Sequence, residues 1–443
     1  MHVAVIGAGI VGVTTAYELA ADGHQVTVFE RRGSVAAEAS FANAGVVAPG
    51  YVAPWAAPGM RGKALRSLFS RHGPVRLHPT LDPATLRWLW RWWRACEPGT
   101  WQANRLAMQA LAQYSRARLH ELVARLKLEY ERHDGYLVLL RTPQDLKLAR
   151  PALKTLAEAG VRFHLVDAAR CREIEPDLNP ETPLQAGVHL ADAEVGNCRQ
   201  FAHLLRNEAQ RAGVNFVFHS HVDRIEPGER PRVVQHSVVV GESTRLSQAD
   251  DLFDATRPMS AGDTDDHFDA VVVCAALGAA PLLRRAGLRL PLQPVYGYSI
   301  TAPLRQHHGH PDHGPRAALM DERYKVAISR IGNRIRVAGS AEVGGAAEHM
   351  NPAPLETLYK VLHDWYPGAA HMSQVQRWKG ARPMLPDGPP LLGESGLPGV
   401  WLNLGHGSSG WALACGSARV LADRLAGRPA AVDLTRLSLA RWR

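Results

Sequence analysis

A glycine-rich stretch near the start of the sequence allows few folds. "VAVIGAGIVGVTTAYELA" runs from Val3 to Ala20, and "VTVFERR" follows from Val26 to Arg32. A β-branched run, a glycine turn, a helical apolar pattern and a second alternating run predict a β–α–β unit. The unit indicates an α/β chain with a Rossmann-like, doubly wound nucleotide-binding domain.

The turn of this unit matches the dinucleotide fingerprint G-x-G-x-x-G. Gly7 permits the tight turn, Gly9 lets the backbone approach a pyrophosphate, and Gly12 lets helix and strand pack closely. The helix N-terminus offers N–H groups and a positive dipole end. Glu30 lies at the end of the second predicted strand, where its carboxylate is expected to accept hydrogen bonds from a ribose hydroxyl. The predicted nucleotide contacts here are Gly7, Gly9, Ile10, Val11, Gly12, Glu30 and Arg31.

The same stretch is not predicted to be a secretion signal or a membrane anchor. No Lys or Arg precedes the apolar run, Glu18 interrupts its end, and no small-residue cleavage site follows. No later apolar run reaches the roughly 18 uncharged residues that a spanning helix needs.

Composition narrows the class of protein. A chain of 443 residues predicts two domains. The excess of 51 basic over 42 acidic residues suits anionic ligands or an anionic membrane surface, and the absence of a like-charge tract makes nucleic acid the weakest candidate partner. Five scattered cysteines predict reduced thiols in a cytoplasmic protein. We predict no metal site, because Pro and Gly within "QHHGHPDH" (306–313) favour a solvated loop.

Two later stretches repeat the strand pattern of the first unit. Gly213 to Glu226 follows a predicted helix over 198–212, and "AVVVCA", within His267 to Ala279, is typical of a strand buried on both faces. The polar segment between them is predicted to be excursion strands with a surface insertion. The middle of the chain instead predicts long helices over Ala84–Cys96 and Gln102–Tyr130, and strands over Tyr136–Leu140 and Lys325–Ala338.

These pieces predict two interleaved domains. The nucleotide-binding domain takes the two ends of the chain, and an α+β substrate domain with a mixed sheet takes most of the middle. The predicted boundaries are 1–58, 152–226, 267–290 and 380–443 for the nucleotide-binding domain, 59–151 and 291–379 for the substrate domain, and 227–266 for the insertion.

The helix over Ala84–Cys96, "ATLRWLWRWWRAC", interleaves tryptophan with arginine. We favour a helix packed on a core, with Arg stems covering the rings. The alternative is an amphipathic helix lying at a membrane surface.

Two downstream segments favour FAD over NAD. "EASFANAG" (Glu38–Gly45) is a small-residue turn suited to phosphate and a flat ring. "GVWLNLGHGSSGWALACGSARVLADRLAGR" (Gly399–Arg428) predicts a second helix N-terminus, suited to the pyrimidine end of a flavin, where negative charge gathers on reduction. The predicted flavin contacts are Ser40, Asn43, Ala44, Gly45, Val46, Val222, Gly278, Gly405, His406, Gly407, Ser408, Ser409, Gly410 and Trp411.

Three motifs together resemble the D-amino-acid dehydrogenase small-subunit family, within the glycine oxidase and D-amino-acid oxidase group. They are "ANAGVVAPGYVAPWAAPG" (Ala42–Gly59), "KGARPMLPDGPPLLG" (Lys379–Gly393) and "WLNLGHGSSGWALACGSA" (Trp401–Ala418). The resemblance implies FAD held without a covalent bond and oxidative deamination of D-amino acids or D-proline-like imino acids. It also implies electron transfer to a membrane quinone, with peripheral association with the inner membrane. The chain departs from the family at Ser408 and Ser409, where Thr and Leu are usual.

The reaction predicts which side chains the site needs. Hydride transfer from Cα to flavin N5 requires the substrate to be held against the ring. An Arg fork binds a carboxylate bidentately, and the resemblance places Arg382 there. Tyr298 and Tyr324 are predicted to add a hydroxyl or close the pocket, with a buried core tyrosine as the alternative for each. His406, in the flavin turn, is predicted to form a pocket wall or to donate a hydrogen bond near the ring. Tyr51 and Trp55 belong to a loop predicted to line the cavity.

Alternatives remain at this point. An oxygen-using amine oxidase of the glycine or sarcosine type fits the same motifs, as does a flavin-binding subunit without turnover. Cys415, within the predicted C-terminal helix, is a disfavoured candidate for a covalent flavin link.

Overall fold

The computed structural model describes residues 1–67, 72–78, 82–238, 266–305 and 313–442. Most of the predicted insertion (239–265) and of the His-rich stretch (306–312) therefore lies outside the described residues. The strands are β1 (His2–Ile6), β2 (Gln25–Phe29), β3 (Val46–Val47), β4 (Val75–Leu77), β5 (His133–Leu140), β6 (His164–Asp167), β7 (Ala186–Val195), β8 (Asn215–Val217), β9 (Ser220–Glu226), β10 (Arg232–Ser237), β11 (Asp266–His267), β12 (Ala270–Val273), β13 (Gln293–Pro303), β14 (Ala318–Asp321), β15 (Val326–Ile331), β16 (Arg334–Val343), β17 (Gln376–Met384), β18 (Leu391–Glu394) and β19 (Val400–Leu404).

The helices alternate with these strands in the first part of the chain and close it at the end. They are α1 (Ile10–Ala21), α2 (Met60–Ser67), α3 (Pro83–Ala95), α4 (Pro98–Leu126), α5 (Pro143–Glu158), α6 (Ala168–Ile174), α7 (Cys198–Arg211), α8 (Ala279–Arg285), α9 (Pro352–Trp365) and α10 (Gly410–Leu425).

A six-stranded sheet carries the predicted nucleotide-binding unit. Its order is β18-β19-β12-β1-β2-β8, and every neighbouring pair is parallel except β18 with β19. Val3 of β1 lies opposite Ala270 on one side and Val26 on the other, so the central strand is fully paired. Its apolar residues pack against α1, α7 and α10. This confirms the doubly wound α/β fold.

A buried ionic cluster joins three helices behind this sheet. Glu18 of α1 is fully buried and binds Arg118 of α4 (2.7 Å) and Arg419 of α10 (2.9 Å). Since removing one partner of a buried pair leaves an uncompensated charge, these contacts fix how the helices pack.

A ten-stranded mixed sheet is the second large sheet of the fold. Its main order is β17-β13-β16-β15-β14-β5-β7-β3, with β4 paired to β16 and β6 to β7. Its core packs on α9, whose Trp365 is fully buried beside Ile300 and Ile328. A three-stranded sheet of β9, β10 and β11 forms the excursion expected at the start of the insertion.

Some local expectations differ from the structure. The single strand predicted over Lys325–Ala338 is two strands, β15 and β16, because Gly332 at φ +58 turns the chain between them. Within the predicted segment 152–226, β6 and β7 pair in the ten-stranded sheet, and only the later part lies against the six-stranded sheet. The domain boundaries stay a prediction.

Within the described ranges, no helix is both long and apolar enough to cross a bilayer.

Candidate active site

A cleft of about 740 Å³ opens where the parallel strands end. Its walls include the residues that directly follow β1, β2, β12 and β19, and it continues onto the ten-stranded sheet. Ligands of open α/β sheets bind at this edge, outside the carboxyl ends of the strands. The cleft is therefore the candidate active site.

The glycine turn after β1 leaves no room for a side chain at Gly7 or Gly12. Gly7 has φ +99, and its N–H donates to Phe29 O at 2.8 Å. A Cβ on Gly12 would lie 1.8 Å from Gly7 O. Gly12 does not line the cleft, so its place is in the packing of α1 on the turn, whereas Gly7 and Gly9 face the cleft.

Glu30 closes the turn by hydrogen bonds to backbone. Its two carboxylate oxygens accept from Ala8 N (2.7 Å) and Arg32 N (2.8 Å), and burial raises its pKa. A carboxylate has about four lone-pair sites, so Glu30 keeps acceptor capacity toward the cleft that it lines. Arg31 also lines the cleft but pairs with the partly exposed Glu38.

The loop over residues 42–45 is fixed by the ten-stranded sheet. Three consecutive carbonyl groups each accept a hydrogen bond from a side chain of a different strand, and the fourth accepts one from α10. The loop backbone that lines the cleft is thus held in one conformation. The bonds run from Ser299 Oγ to Ala42 O (2.9 Å), Arg336 Nη1 to Asn43 O (3.1 Å), Ser329 Oγ to Ala44 O (2.7 Å) and Trp411 Nε1 to Gly45 O (3.1 Å).

Arg336 is the anchor that sequence reasoning missed. It is 6% exposed, its Nε donates to Thr301 Oγ1 (3.0 Å), and burial lowers its pKa to about 10. No carboxylate of the described residues forms an ion pair with it. The signal available was an Arg alternating with apolar residues in "RIRVAGSAEV".

The C-terminal turn places a neutral histidine at the cleft. His406 is 4% exposed, and its Nε2 lies 3.0 Å from Ser417 Oγ. Burial lowers the pKa of His406 to about 3, so the imidazole carries no charge at neutral pH. The turn leads directly into the N-terminus of α10, which also borders the cleft.

Asn403, just before this turn, presents an unused acceptor. The residue is fully buried, and its Nδ2 donates to Thr15 Oγ1 at 2.9 Å. Its Oδ1 has no partner among the described residues, although Asn403 lines the cleft. Buried polar atoms are nearly always hydrogen-bonded, so this oxygen indicates that a bound ligand donates a hydrogen bond to it.

Arg382 supplies the positive charge of the other end of the cleft. It lies within β17 before Pro383, in the extended backbone that the sequence predicted. One guanidinium nitrogen donates to Ser340 O (2.9 Å), and the group lies 5.6 Å from the ring centre of Trp55. Burial lowers its pKa to about 10, and no carboxylate of the described part of the chain pairs with it.

The two predicted tyrosines differ in position. Tyr298 is among the residues that line the cleft, but its ring packs in the core with Tyr296 and Ile300, and its hydroxyl donates to Glu342 Oε2 at 2.8 Å. Tyr324 lies outside the cleft, against Arg141 and Lys360. The tight turn between β14 and β15 is the reason, since the next residue, Lys325, has φ +52 and lines the cleft instead.

All other predicted site residues except Gly12 lie along one cleft. Trp55, expected only as a wall, also donates from Nε1 to Ser408 Oγ at 3.1 Å, which joins two loops across the cleft. Cys415 is 1% exposed and does not line it. The predicted residues that line the cleft are Gly7, Gly9, Ile10, Val11, Glu30, Arg31, Ser40, Asn43, Ala44, Gly45, Val46, Val222, Gly278, Tyr298, Arg382, Gly405, His406, Gly407, Ser408, Ser409, Gly410 and Trp411.

Comparison with known proteins identifies relatives over the whole chain. The family model described as FAD dependent oxidoreductase matches residues 2–424. The D-amino acid dehydrogenase of Cereibacter sphaeroides is 40% identical over 100% of this chain and 95% of its own length. That of Rhizorhabdus wittichii is 39% identical over 100% of both chains.

Solved structures share the fold at lower identity. Glycine oxidase from Geobacillus kaustophilus has a TM-score of 0.71 at 20% identity and covers 99% of this chain and 98% of its own. L-Proline dehydrogenase from P. horikoshii has a TM-score of 0.68 at 15% identity, covering 100% and 97%. These likenesses show the arrangement of sheets and helices.

Proposed function

We propose, on the premise that this chain belongs to the DAO family of FAD-dependent oxidoreductases, that it oxidises D-amino acids. The products are 2-oxo acids and ammonia, or cyclic imines from D-proline-like imino acids. Full-length relatives named D-amino acid dehydrogenase support this substrate class.

The cleft fits FAD by its own chemistry. Gly7, Gly9 and the first turn of α1 offer space and N–H groups to a pyrophosphate, and Glu30 offers acceptors to a ribose. Asn403 Oδ1 offers a buried acceptor that has no partner among the described residues. FAD, when bound, supplies the acceptor for the hydride that leaves the substrate Cα.

The single observation that carries the substrate proposal is the guanidinium of Arg382. It lines the same cleft as the glycine turn, and its bond to Ser340 O uses one of its five donors. The remaining donors can form a two-bond contact with a substrate carboxylate, which no described carboxylate of the protein occupies. In the proposed complex, Arg382 fixes the carboxylate and thereby orients Cα.

The surrounding side chains complete the substrate position. Trp55 covers the guanidinium, and Tyr298 lines the cleft while its hydroxyl is held by Glu342. Neutral His406 adds no charge beside the substrate amine. We assign these residues to positioning and exclusion of water. A general base is not needed, because the amine loses its proton before hydride transfer and the imine hydrolyses in water.

We further propose a membrane quinone as the electron acceptor, reached through peripheral contact with the membrane. The resemblance in sequence and the net charge of +9 support this choice. An oxygen-using oxidase has less support, since glycine oxidase structures match only at the level of fold.

Anaerobic mixing tests the proposal. The purified flavoprotein is mixed with D-alanine, D-proline and their L-enantiomers, and flavin absorbance near about 450 nm is followed. We expect bleaching with the D-forms and little with the L-forms. Bleaching with none of a panel of D-amino and imino acids would overturn it. Comparing quinone-analogue reduction with peroxide release in air then distinguishes dehydrogenase from oxidase.

A further inference from the structure

Helix α3 exposes an unusual apolar stripe. Leu86 is 53% exposed, Trp90 58% and Trp93 44%. Spacings of four and three residues place the three side chains on one side of the helix. Removing two tryptophans and a leucine from water would be strongly favourable. The stripe therefore indicates a surface that contacts a membrane or another molecule.

A basic stripe runs beside the apolar one. Arg87, Arg91 and Arg94 repeat the same spacing one residue further on and are exposed. No carboxylate of the described residues forms an ion pair with any of the three; Arg87 bonds to Pro83 O, and Arg94 lies 5.0 Å from the Trp90 ring centre. We call these six residues, 86, 87, 90, 91, 93 and 94, the α3 ridge.

The opposite side of α3 is fixed to the body of the protein beside the cleft. Trp88 is 4% exposed, and its Nε1 donates to Met384 O at 3.1 Å, two residues beyond Arg382. Arg61 of α2 donates to Trp93 O (2.7 Å), and its neighbour Met60 lines the cleft. The ridge is therefore held rigidly next to one wall of the active-site cleft.

We propose that the α3 ridge docks the protein on an anionic phospholipid surface. Leu86, Trp90 and Trp93 enter the interfacial region of the bilayer, and the three guanidinium groups contact lipid phosphates. The positive charge of the ridge suits a negatively charged lipid surface. Its three arginines form no ion pair with a described carboxylate, and the chain has a net charge of +9. The inference rests on the proposed membrane acceptor. It assigns the membrane contact to a surface of the protein next to one wall of the cleft.

Vesicle co-sedimentation of the full-length flavoprotein tests this surface. The vesicles are phosphatidylcholine alone or phosphatidylcholine with about one third phosphatidylglycerol. We expect binding that prefers the anionic vesicles. The apolar variant L86S/W90S/W93S should bind both kinds at least about tenfold more weakly. The basic variant R87Q/R91Q/R94Q should lose at least about tenfold on anionic vesicles alone.

Matched controls use equally exposed residues elsewhere. L148S/L165S removes two side chains that are 57% and 51% exposed, and R150Q/R284Q/R289Q removes the same charge as the basic variant. Both should bind vesicles like the wild type. Wild-type protein that ignores anionic vesicles, controls that lose binding as much as the ridge variants, or preferential binding of an oligonucleotide over vesicles would each overturn the proposal.

Activity with a water-soluble dye separates this proposal from the proposed function. Ridge variants should reduce the dye with D-alanine at the wild-type rate, while their reduction of a quinone held in anionic vesicles falls. Vesicle binding by a protein that bleaches with no D-amino acid would support the ridge and overturn the substrate proposal.

Discussion

The two ends of the cleft are built in different ways. The proposed nucleotide end comes from about thirty consecutive residues, and it presents backbone groups, glycines and one carboxylate, Glu30. The substrate end brings together Arg382, Tyr298 and Trp55, which are far apart in sequence. One end therefore depends on local backbone geometry and the other on the register of the ten-stranded sheet.

The loop over 42–45 couples the two ends. It follows the nucleotide unit in sequence, but its carbonyls are held by Ser299, Ser329 and Arg336 from the ten-stranded sheet. Variants that affect only one end should therefore be found away from this loop.

The largest effect is expected at Gly12. In G12A, the new Cβ would lie 1.8 Å from Gly7 O, so α1 must shift from the turn that we propose receives the pyrophosphate. We expect FAD affinity to fall more than about a hundredfold and stability by about 3 kcal/mol. Flavin titration and urea unfolding measure both. G62A, with nothing within 4 Å of its Cβ, is the control, and equal behaviour of the two variants would contradict the prediction.

Substitution of Arg382 should weaken the binding of substrate and leave the binding of FAD unchanged. R382K keeps the charge but loses the two-bond fork, so we expect kcat/KM for D-alanine to fall about a hundredfold, or about 2.7 kcal/mol. FAD content should stay at the wild-type level, in contrast to G12A. R377K, in the same strand with its Nε on Tyr359 OH, should be nearly wild type. Unchanged steady-state kinetics in R382K would remove Arg382 from the carboxylate site.

The sequence predicted the β–α–β unit of the first thirty residues well because its information is local. The fingerprint, the strand and the acidic residue all fall between Val3 and Glu30, and the structure has them in one β–α–β unit. The same locality predicted the strand within "AVVVCA" and the helix that begins at the end of "GHGSSGW". Fold class and cofactor followed from these pieces.

The substrate end was predicted less well because it depends on which residues a sheet brings together. Nothing near Tyr324 in sequence shows that a tight turn points Lys325, rather than the ring, into the cleft. The pairing of Arg336 with Asn43 O spans almost three hundred residues and has no local signal. Long-range register also explains why β6 and β7 belong to the ten-stranded sheet.

His406 lies where the ends meet and should give the stability a pH dependence. Its folded pKa of about 3 is below the unfolded value of about 6.5, so at pH 5 only the unfolded state binds this proton. Stability from this residue is complete well above pH 6.5 and falls as the pH drops. Between about pH 8 and 5 the wild type should lose about 2 kcal/mol more than H406Q. Urea unfolding at both pH values measures this, and parallel losses would contradict it.

The smallest predicted effect concerns the hydrogen bond between Trp55, which covers Arg382, and Ser408 of the turn before α10. Trp55 covers the guanidinium with its ring and donates to Ser408 Oγ at 3.1 Å. W55F keeps the ring and loses the donor, and S408A loses the acceptor. The double-mutant cycle on KM for D-alanine should give a coupling of about 1 kcal/mol, about fivefold.

The control for this cycle is Ser409, the next residue of the turn, paired with W55F in the same way. It also lines the cleft but makes no side-chain bond to Trp55 among the described contacts. Additive effects in the W55F/S408A cycle would mean that the ring alone positions the substrate. A coupling confined to Ser408 would mean that the flavin turn and the substrate end share one hydrogen bond, so a change at Ser408 alters substrate binding without a direct contact to substrate.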